Sequence, residues 1–263
     1  MLLSLLLAFA ISATEEPAKN SPRPLVRAHA HNDYAHKRPL LDALDHGFCN
    51  VEADIWLVKG ELLVAHTPLE WTNTRTLQKL YLDPLRERIK ANSGKVHKDE
   101  PPFFLMIDIK TNAKETYEAL AKVLEDYADI LTVTRDGKIE AKAVTIVISG
   151  NRDVKTIGEQ KTRYAAIDGR PSDLEGDSSA SLIPWISDAW KSHFKWNGVG
   201  QMPDDERKKL REFVARAHKQ GRKVRFWAAP ETEAAWAELL AAGVDLLNTD
   251  KLAELQKFLL ANP

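Results

Sequence analysis

Eight short apolar stretches recur along this chain, and amphipathic helical patterns separate many of them. They lie at 25–29 (LVRAH), 48–58 (FCNVEADIWLV), 103–109 (FFLMIDI), 143–149 (AVTIVIS), 163–167 (RYAAI), 182–187 (LIPWIS), 222–228 (RKVRFWA) and 244–248 (VDLLN). Several are continuous apolar runs, the pattern of parallel strands covered on both faces. Between them, PLLDALDHG carries Leu40, Leu41 and Leu44 before Gly47, and TYEALAKVLEDY has a 3.6-residue period. DDERKKLREFVARAHKQG opens with acids, ends with bases and stops at Gly221, as the helix dipole and C-cap rules require. TEAAWAELLAAG stops at Gly243, and KLAELQKFLL closes the chain. This alternation predicts one α/β domain, a TIM-type (β/α)8 barrel of somewhat irregular build. RPSDLEGDSSAS reads as a loop between the fifth and sixth strands. ILTVTRDGKIEAKA, with its Asp-Gly, reads as an inserted hairpin. A doubly wound sheet is the competing architecture, but no glycine-rich phosphate loop follows the first strand.

The 263 residues carry a formal net charge of −1, so no global field favours nucleic acid or an anionic membrane. An anionic substrate must therefore be held by a local site, and the expected partner is a small molecule bound by a monomer. The opening MLLSLLLAFAISAT reads as a signal peptide and is too short to span a bilayer. This divides the chain into a signal peptide at 1–18, a linker at 19–24 and a barrel domain at 25–263. It also predicts an exported protein with no transmembrane segment in its mature form. Cys49 is alone, which excludes an internal disulfide and suits a buried structural thiol.

Three of the strands each carry two polar residues one position apart: His29 and His31, Glu52 and Asp54, Asp108 and Lys110. Residues i and i+2 of a strand share a face, so each pair projects together. A buried carboxylate costs several kcal/mol unless a cation or donor meets it, with about 2–7 kcal/mol already at stake for an unpaired polar group. In a barrel these positions fall at the C-terminal rim, where active sites lie. Glu52, Asp54 and Asp108 offer only oxygen ligands, which favours one hard divalent cation, Mg2+ or Ca2+, with Lys110 balancing the excess charge. His29 and His66, read as coming from adjacent strands, suit proton transfer on both sides of a phosphorus atom. His31 is left open between ligand, substrate contact and loop residue. The other reaction class is an amidohydrolase, since His-x-His also opens that barrel, but the fourth and fifth strands end in Ser149-Gly150-Asn151 and Asp168-Gly169-Arg170. A non-catalytic barrel that binds a headgroup or carbohydrate is the third reading.

HAHNDYAHKRPLLDALDHGFCNVEADIWLVKGELLVAHT, with LYLDPL, LMIDIKT, VISGNR, IDGR and GVDLLNTDK, resembles the glycerophosphodiester phosphodiesterase and phosphatidylinositol phospholipase C-like superfamily. It is most similar to the altered inheritance of mitochondria 6 branch, over roughly residues 25–258. The resemblance implies a TIM-type barrel, a Mg2+ or Ca2+ ion and cleavage of a glycerophosphodiester or phospholipid headgroup by paired histidines. It implies that His29 and His66 are the catalytic pair and that Glu52, Asp54 and Asp108 are the metal ligands. It implies that Lys110 is the phosphate-side lysine, and Asn32, three residues after His29, resembles an Asn of the related sphingomyelinase D-type phospholipases; His31 is counted with these as a substrate contact. Trp227 and Asp250 fall where related phospholipases of the sphingomyelinase D type carry substrate-side residues. The His-Arg-Gly and Pro-Glu-Asn-Thr elements of ordinary glycerophosphodiesterases are absent, and His66-Thr67 stands where they have His-Asp.

Overall fold

The computed structural model describes residues 22–99 and 101–263. Its strands are β1 (Leu25–Ala30), β2 (Phe48–Val58), β3 (Phe103–Ile109), β4 (Val144–Gly150), β5 (Ala165–Gly169), β6 (Trp185–Ala189), β7 (Lys223–Trp227) and β8 (Leu247–Thr249). All eight lie parallel in sequence order, and β8 returns beside β1. The ring is nearly closed: β7 meets β8 through the single parallel bridge Arg225–Leu246. Helices at Ala113–Glu125, Asp204–Lys219, Glu233–Ala241 and Leu252–Ala261 cover the outside, where periodicity and capping place them. This is the single-domain barrel that the alternation predicts.

Alternation along each strand sorts the side chains. The outward residues Val51, Ile55, Leu105, Ile107, Ile146, Ile148, Ile167, Val224 and Phe226 join the large apolar core beneath the helices. The inward residues form a separate stack. At its base Met106, Val147, Trp185 and Leu246 make a small buried cluster against Phe104, which plugs the barrel. Above this plug the inward positions are polar: Glu52, Asp108, Ser149, Asp168, Ser187, Arg225 and Asn248. The apolar floor confines water and charge to the C-terminal mouth, where the barrel architecture puts its chemistry.

Two turns behave as their sequences require. Asp136 and Gly137 sit at φ 46° and 78°, joining Val133–Arg135 to Lys138–Glu140 as an antiparallel hairpin. Lys59 and Gly60, at φ 52° and 86°, make a second hairpin in which Glu61–Val64 folds back on β2. That second hairpin corrects one expectation. His66 follows an antiparallel arm of β2, so it does not come from a strand adjacent to β1. The arm nonetheless carries His66 back over the barrel mouth.

The loop after β1 is held under strain. Asn32 and Leu40 both have positive φ, 47° and 63°. The buried Asp33 fixes this turn, its Oδ2 accepting from the Leu40 N–H at 2.5 Å and the Tyr81 hydroxyl at 2.9 Å. Burial pushes the Asp33 carboxyl up to about 7, against the pull of those two donors. Its folded value lies above the ordinary 3.8, so its contribution to stability is full below that pH and is lost as pH rises toward 7. Asp33→Asn keeps an acceptor and removes the charge. The stability of Asp33→Asn relative to wild type, read from urea unfolding, should therefore rise between about pH 4 and about pH 7 and level off above that, the window the linkage sets. A pH-independent difference would contradict this account.

Candidate active site

Register brings the three carboxylates together. β2 and β3 pair Glu52 with Met106 and Asp54 with Asp108, so all three acids face the barrel interior. One oxygen from each carboxylate lies within 4.8 Å of the others. Lys110 Nζ bridges Asp54 Oδ2 and Asp108 Oδ1, each at 3.0 Å. Asp54 Oδ1 is buried and accepts no hydrogen bond. Burial, together with the neighbouring Glu52 and Asp54, holds the Asp108 carboxyl at about 6 despite the opposing Lys110. Burial and Glu52 raise Asp54 in the same sense. An unpartnered buried carboxylate oxygen and carboxyls displaced toward neutrality are what a divalent cation would satisfy, and oxygen donors suit a hard one. Among the described residues, the group close enough to hold a metal contains no histidine, which disfavours the amidohydrolase arrangement.

Backbone geometry protects this cluster. Gly150 ends β4 at φ +67°, and a Cβ there would collide with the Asp108 carboxylate and the Ile109 carbonyl. Only glycine fits the close approach.

Glu52 is compensated by Arg225, a residue that sequence reasoning did not single out. Arg225 Nη1 lies 2.7 Å from Glu52 Oε2 and 2.9 Å from Asn248 Oδ1. Burial raises the Glu52 carboxyl, but Arg225 and His29 outweigh it and hold the group ionised, well below the usual range. A second buried acid, Asp168, accepts from Ser149 Oγ at 2.9 Å, from Ser187 Oγ and from Arg170 Nη1 at 2.9 Å. Lys110, Arg170 and Arg225 therefore stand among Glu52, Asp54, Asp108 and Asp168.

The predicted histidines take different places. His29 is fully buried, with Nε2 3.0 Å from Glu52 Oε2 and 2.8 Å from Arg225 Nη1. Burial, with Arg225 beside it, lowers its imidazole to about 4. His31 and His66 both line a cavity of about 420 Å3, together with Glu52, Asp108 and Lys110. His31 Nδ1 lies 2.8 Å from Asp250 Oδ1, and Asn32 Nδ2 reaches the same carboxylate at 3.3 and 3.5 Å. Burial alone would lower the His31 imidazole, but Asp250 and Glu52 raise it on balance. His66 Nδ1 lies 3.3 Å from Asp54 Oδ2 and 3.0 Å from the Tyr34 hydroxyl. Tyr34, also not anticipated, sits 2.7 Å from Asp54 Oδ2 and 2.6 Å from Asn32 Oδ1, tying the β1 loop to the acid cluster. Trp227 lines the same cavity, with the Arg170 guanidinium 4.9 Å from its ring centroid.

A parallel barrel with an acid cluster and histidines at its C-terminal mouth has the build of a phosphodiesterase-like barrel. Residues 22–168 match the family described as AIM6-like phosphodiesterase domain, and residues 223–253 match the glycerophosphoryl diester phosphodiesterase family. The chain belongs to the AIM6-like phosphodiesterase domain family. It is 29% identical to "Altered inheritance of mitochondria protein 6" of Eremothecium gossypii, over 89% of this chain and 69% of that protein. The protein of the same name from Saccharomyces cerevisiae is 28% identical, over 88% of this chain and 70% of its own length. The homolog from Arthroderma benhamiae is 25% identical, over 86% and 81%. A glycerophosphodiester phosphodiesterase from Parabacteroides distasonis shares the fold, with a TM-score of 0.53 at 14% identity, over 91% of this chain and 99% of that one.

One expectation is corrected by these relatives. They are named for the inheritance of mitochondria, which does not mark an exported protein, so the localisation drawn from the opening apolar run is withdrawn. That run, residues 1–18, lies outside the described residues. Among the described residues no helix is long and apolar enough to cross a membrane.

Arg225 and Glu52 are 3% and 5% exposed at their side chains, so removing either partner strands a buried charge. Arg225→Met should destabilise the metal-free protein by about 3–5 kcal/mol, the range for breaking a buried pair. Chemical denaturation checks this, and a loss below about 1 kcal/mol would mean that solvent already screens the pair.

Proposed function

We propose that this protein is a metal-dependent phosphoric diester hydrolase acting on a glycerophosphodiester or a phospholipid headgroup through histidine acid/base catalysis. The observation that carries the reading is the three-carboxylate cluster, two of whose members, Glu52 and Asp108, line one cavity with His31 and His66. Glu52, Asp54 and Asp108 would hold one Mg2+ or Ca2+. When bound, such an ion stabilises negative charge on the phosphoryl oxygens. His66 and a histidine from the HAH segment that ends β1, His29 or His31, move the protons, one taking a proton from the nucleophile and one giving a proton to the leaving oxygen. Lys110, Asn32, Trp227 and Asp250 border the space for the rest of the substrate, with Lys110 on the phosphate side.

Purified protein should hydrolyse glycerophosphodiesters, and an aryl diester such as bis(4-nitrophenyl) phosphate, with Mg2+ or Ca2+ present. A chelator should abolish turnover and excess ion restore it. Asp54→Asn and Asp108→Asn should each weaken ion affinity by at least the roughly 10–100-fold typical of groups that merely support metal ligands. Turnover indifferent to chelator would overturn the metal requirement. Gly150→Ala should impair ion binding in the same direction by displacing Asp108, and an unchanged affinity by calorimetry would show that the carboxylate is free to move.

A further inference from the structure

Two histidines reach the barrel mouth at the end of β1, His29 within the strand and His31 in the turn that follows it, and their surroundings suit different tasks. An acid or base must bring a ring nitrogen within about 2.6–3.2 Å of the atom whose proton it handles. His29 is not among the residues lining the 420 Å3 cavity. Its Nε2 is enclosed by Glu52 and Arg225, its Nδ1 is buried without a partner, and its ring packs edge-on against Trp185, 6.1 Å between centroids. Neither nitrogen faces the substrate space. His31 lies one layer higher, on the cavity wall. Its Nδ1 is occupied by Asp250 Oδ1 at 2.8 Å and Asn32 Nδ2 at 2.9 Å, and no hydrogen bond among the described residues engages its Nε2. His66 is arranged alike, with Nδ1 held by Asp54 and Tyr34 and no hydrogen bond to Nε2 among the described residues.

The His31 arrangement is braced. Asn32, left-handed at φ 47° and ψ 34°, turns the chain sharply after His31 and bonds the Asp250 carboxylate. Glu231 Oε2 accepts the Asp250 N–H at 3.0 Å and the Thr249 hydroxyl at 2.6 Å, which fixes the end of β8. A carboxylate on Nδ1 selects the tautomer and aims Nε2 outward, as it does wherever an imidazole moves protons.

We propose that His31, oriented by Asp250, is the acid/base partner of His66, and that His29 is a positioning residue that helps Arg225 hold Glu52. This rests on the phosphodiesterase reading above. In the step, a water or substrate hydroxyl loses its proton to one Nε2 as its oxygen bonds phosphorus. The bond from phosphorus to the leaving oxygen breaks, and that oxygen takes a proton from the other Nε2. Solvent then resets both rings.

The test compares single variants of the full chain at saturating Mg2+ or Ca2+. His31→Ala should lower kcat on an alkyl diester by about 10²–10⁴-fold, with ion affinity and Tm unchanged. Adding His66→Ala should cost less than the product of the two single losses, because the pair acts as a unit. Asp250→Asn should lower kcat less than His31→Ala does and displace one limb of the pH–rate profile. His29→Gln should weaken ion binding and lower Tm, yet keep kcat within about tenfold and the pH profile in place, as a merely supporting group would. Should His29→Gln fail to fold, diethyl pyrocarbonate mapping of the wild type decides. Modification at His31 and His66, blocked by inorganic phosphate with Mg2+, and none at His29 is expected; phosphate-protected modification at His29 with His31 unreactive overturns the proposal. Wild-type kcat in His31→Ala would overturn this assignment alone. A wild-type protein that turns over no phosphodiester would overturn the hydrolase reading and this assignment with it.

Discussion

The mouth of this barrel crowds like charges onto largely buried positions, and much of the surrounding structure follows from that constraint. Glu52 and Asp54 are almost wholly buried, and Asp108 sits beside them. Carboxylates so placed repel one another and lose hydration, so each needs positive charge or donors close by. Lys110 serves two of them and Arg225 the third. Tyr34 adds a hydroxyl to Asp54, and Gly150 leaves room for Asp108. Removing any one of these leaves a buried charge exposed to its neighbours.

The same constraint explains why the barrel is layered inside. Phe104, Met106, Val147, Trp185 and Leu246 floor the polar compartment. Above them, Asp168 gathers Ser149, Ser187 and Arg170 around one carboxylate. The floor lowers the local dielectric and strengthens each pairing above it, which rigidifies the set. A site fixed in this way can present charge to a diester with little reorganisation, which is the main resource of electrostatic catalysis.

Fold and site were unequally legible in the sequence. The eight strands, the Asp136-Gly137 hairpin and the loop before β6 follow from periodicity and turn chemistry, because local signals set them. The alternation rule found Glu52, Asp54, Asp108 and Lys110. Applied to the later strands, it would also have found Asp168 with Arg170, Arg225 with Trp227, and Asn248 with Asp250. Arg225 is hard to single out in the sequence because an arginine close to Lys223 in RKVRFWA looks like ordinary surface charge until barrel closure turns it inward. His66 was placed on the wrong kind of strand, since LLVAHT reads equally as a barrel strand or as the second arm of a hairpin. The difference between His29 and His31 depends on tertiary burial, which no spacing encodes. The opening apolar run suggested export, and relatives named for mitochondrial inheritance overrode that pattern.

The central claim is that the acid cluster on β2 and β3 is a divalent-cation site. Anomalous diffraction from crystals soaked in Mn2+, a stand-in for Mg2+ with similar oxygen preferences, tests it most directly. The account predicts one strong peak bounded by Glu52, Asp54 and Asp108, with Lys110 Nζ released from at least one of its two carboxylates. A cluster without a peak and with Lys110 still bridging Asp54 and Asp108, or a peak held instead by histidines, would contradict it.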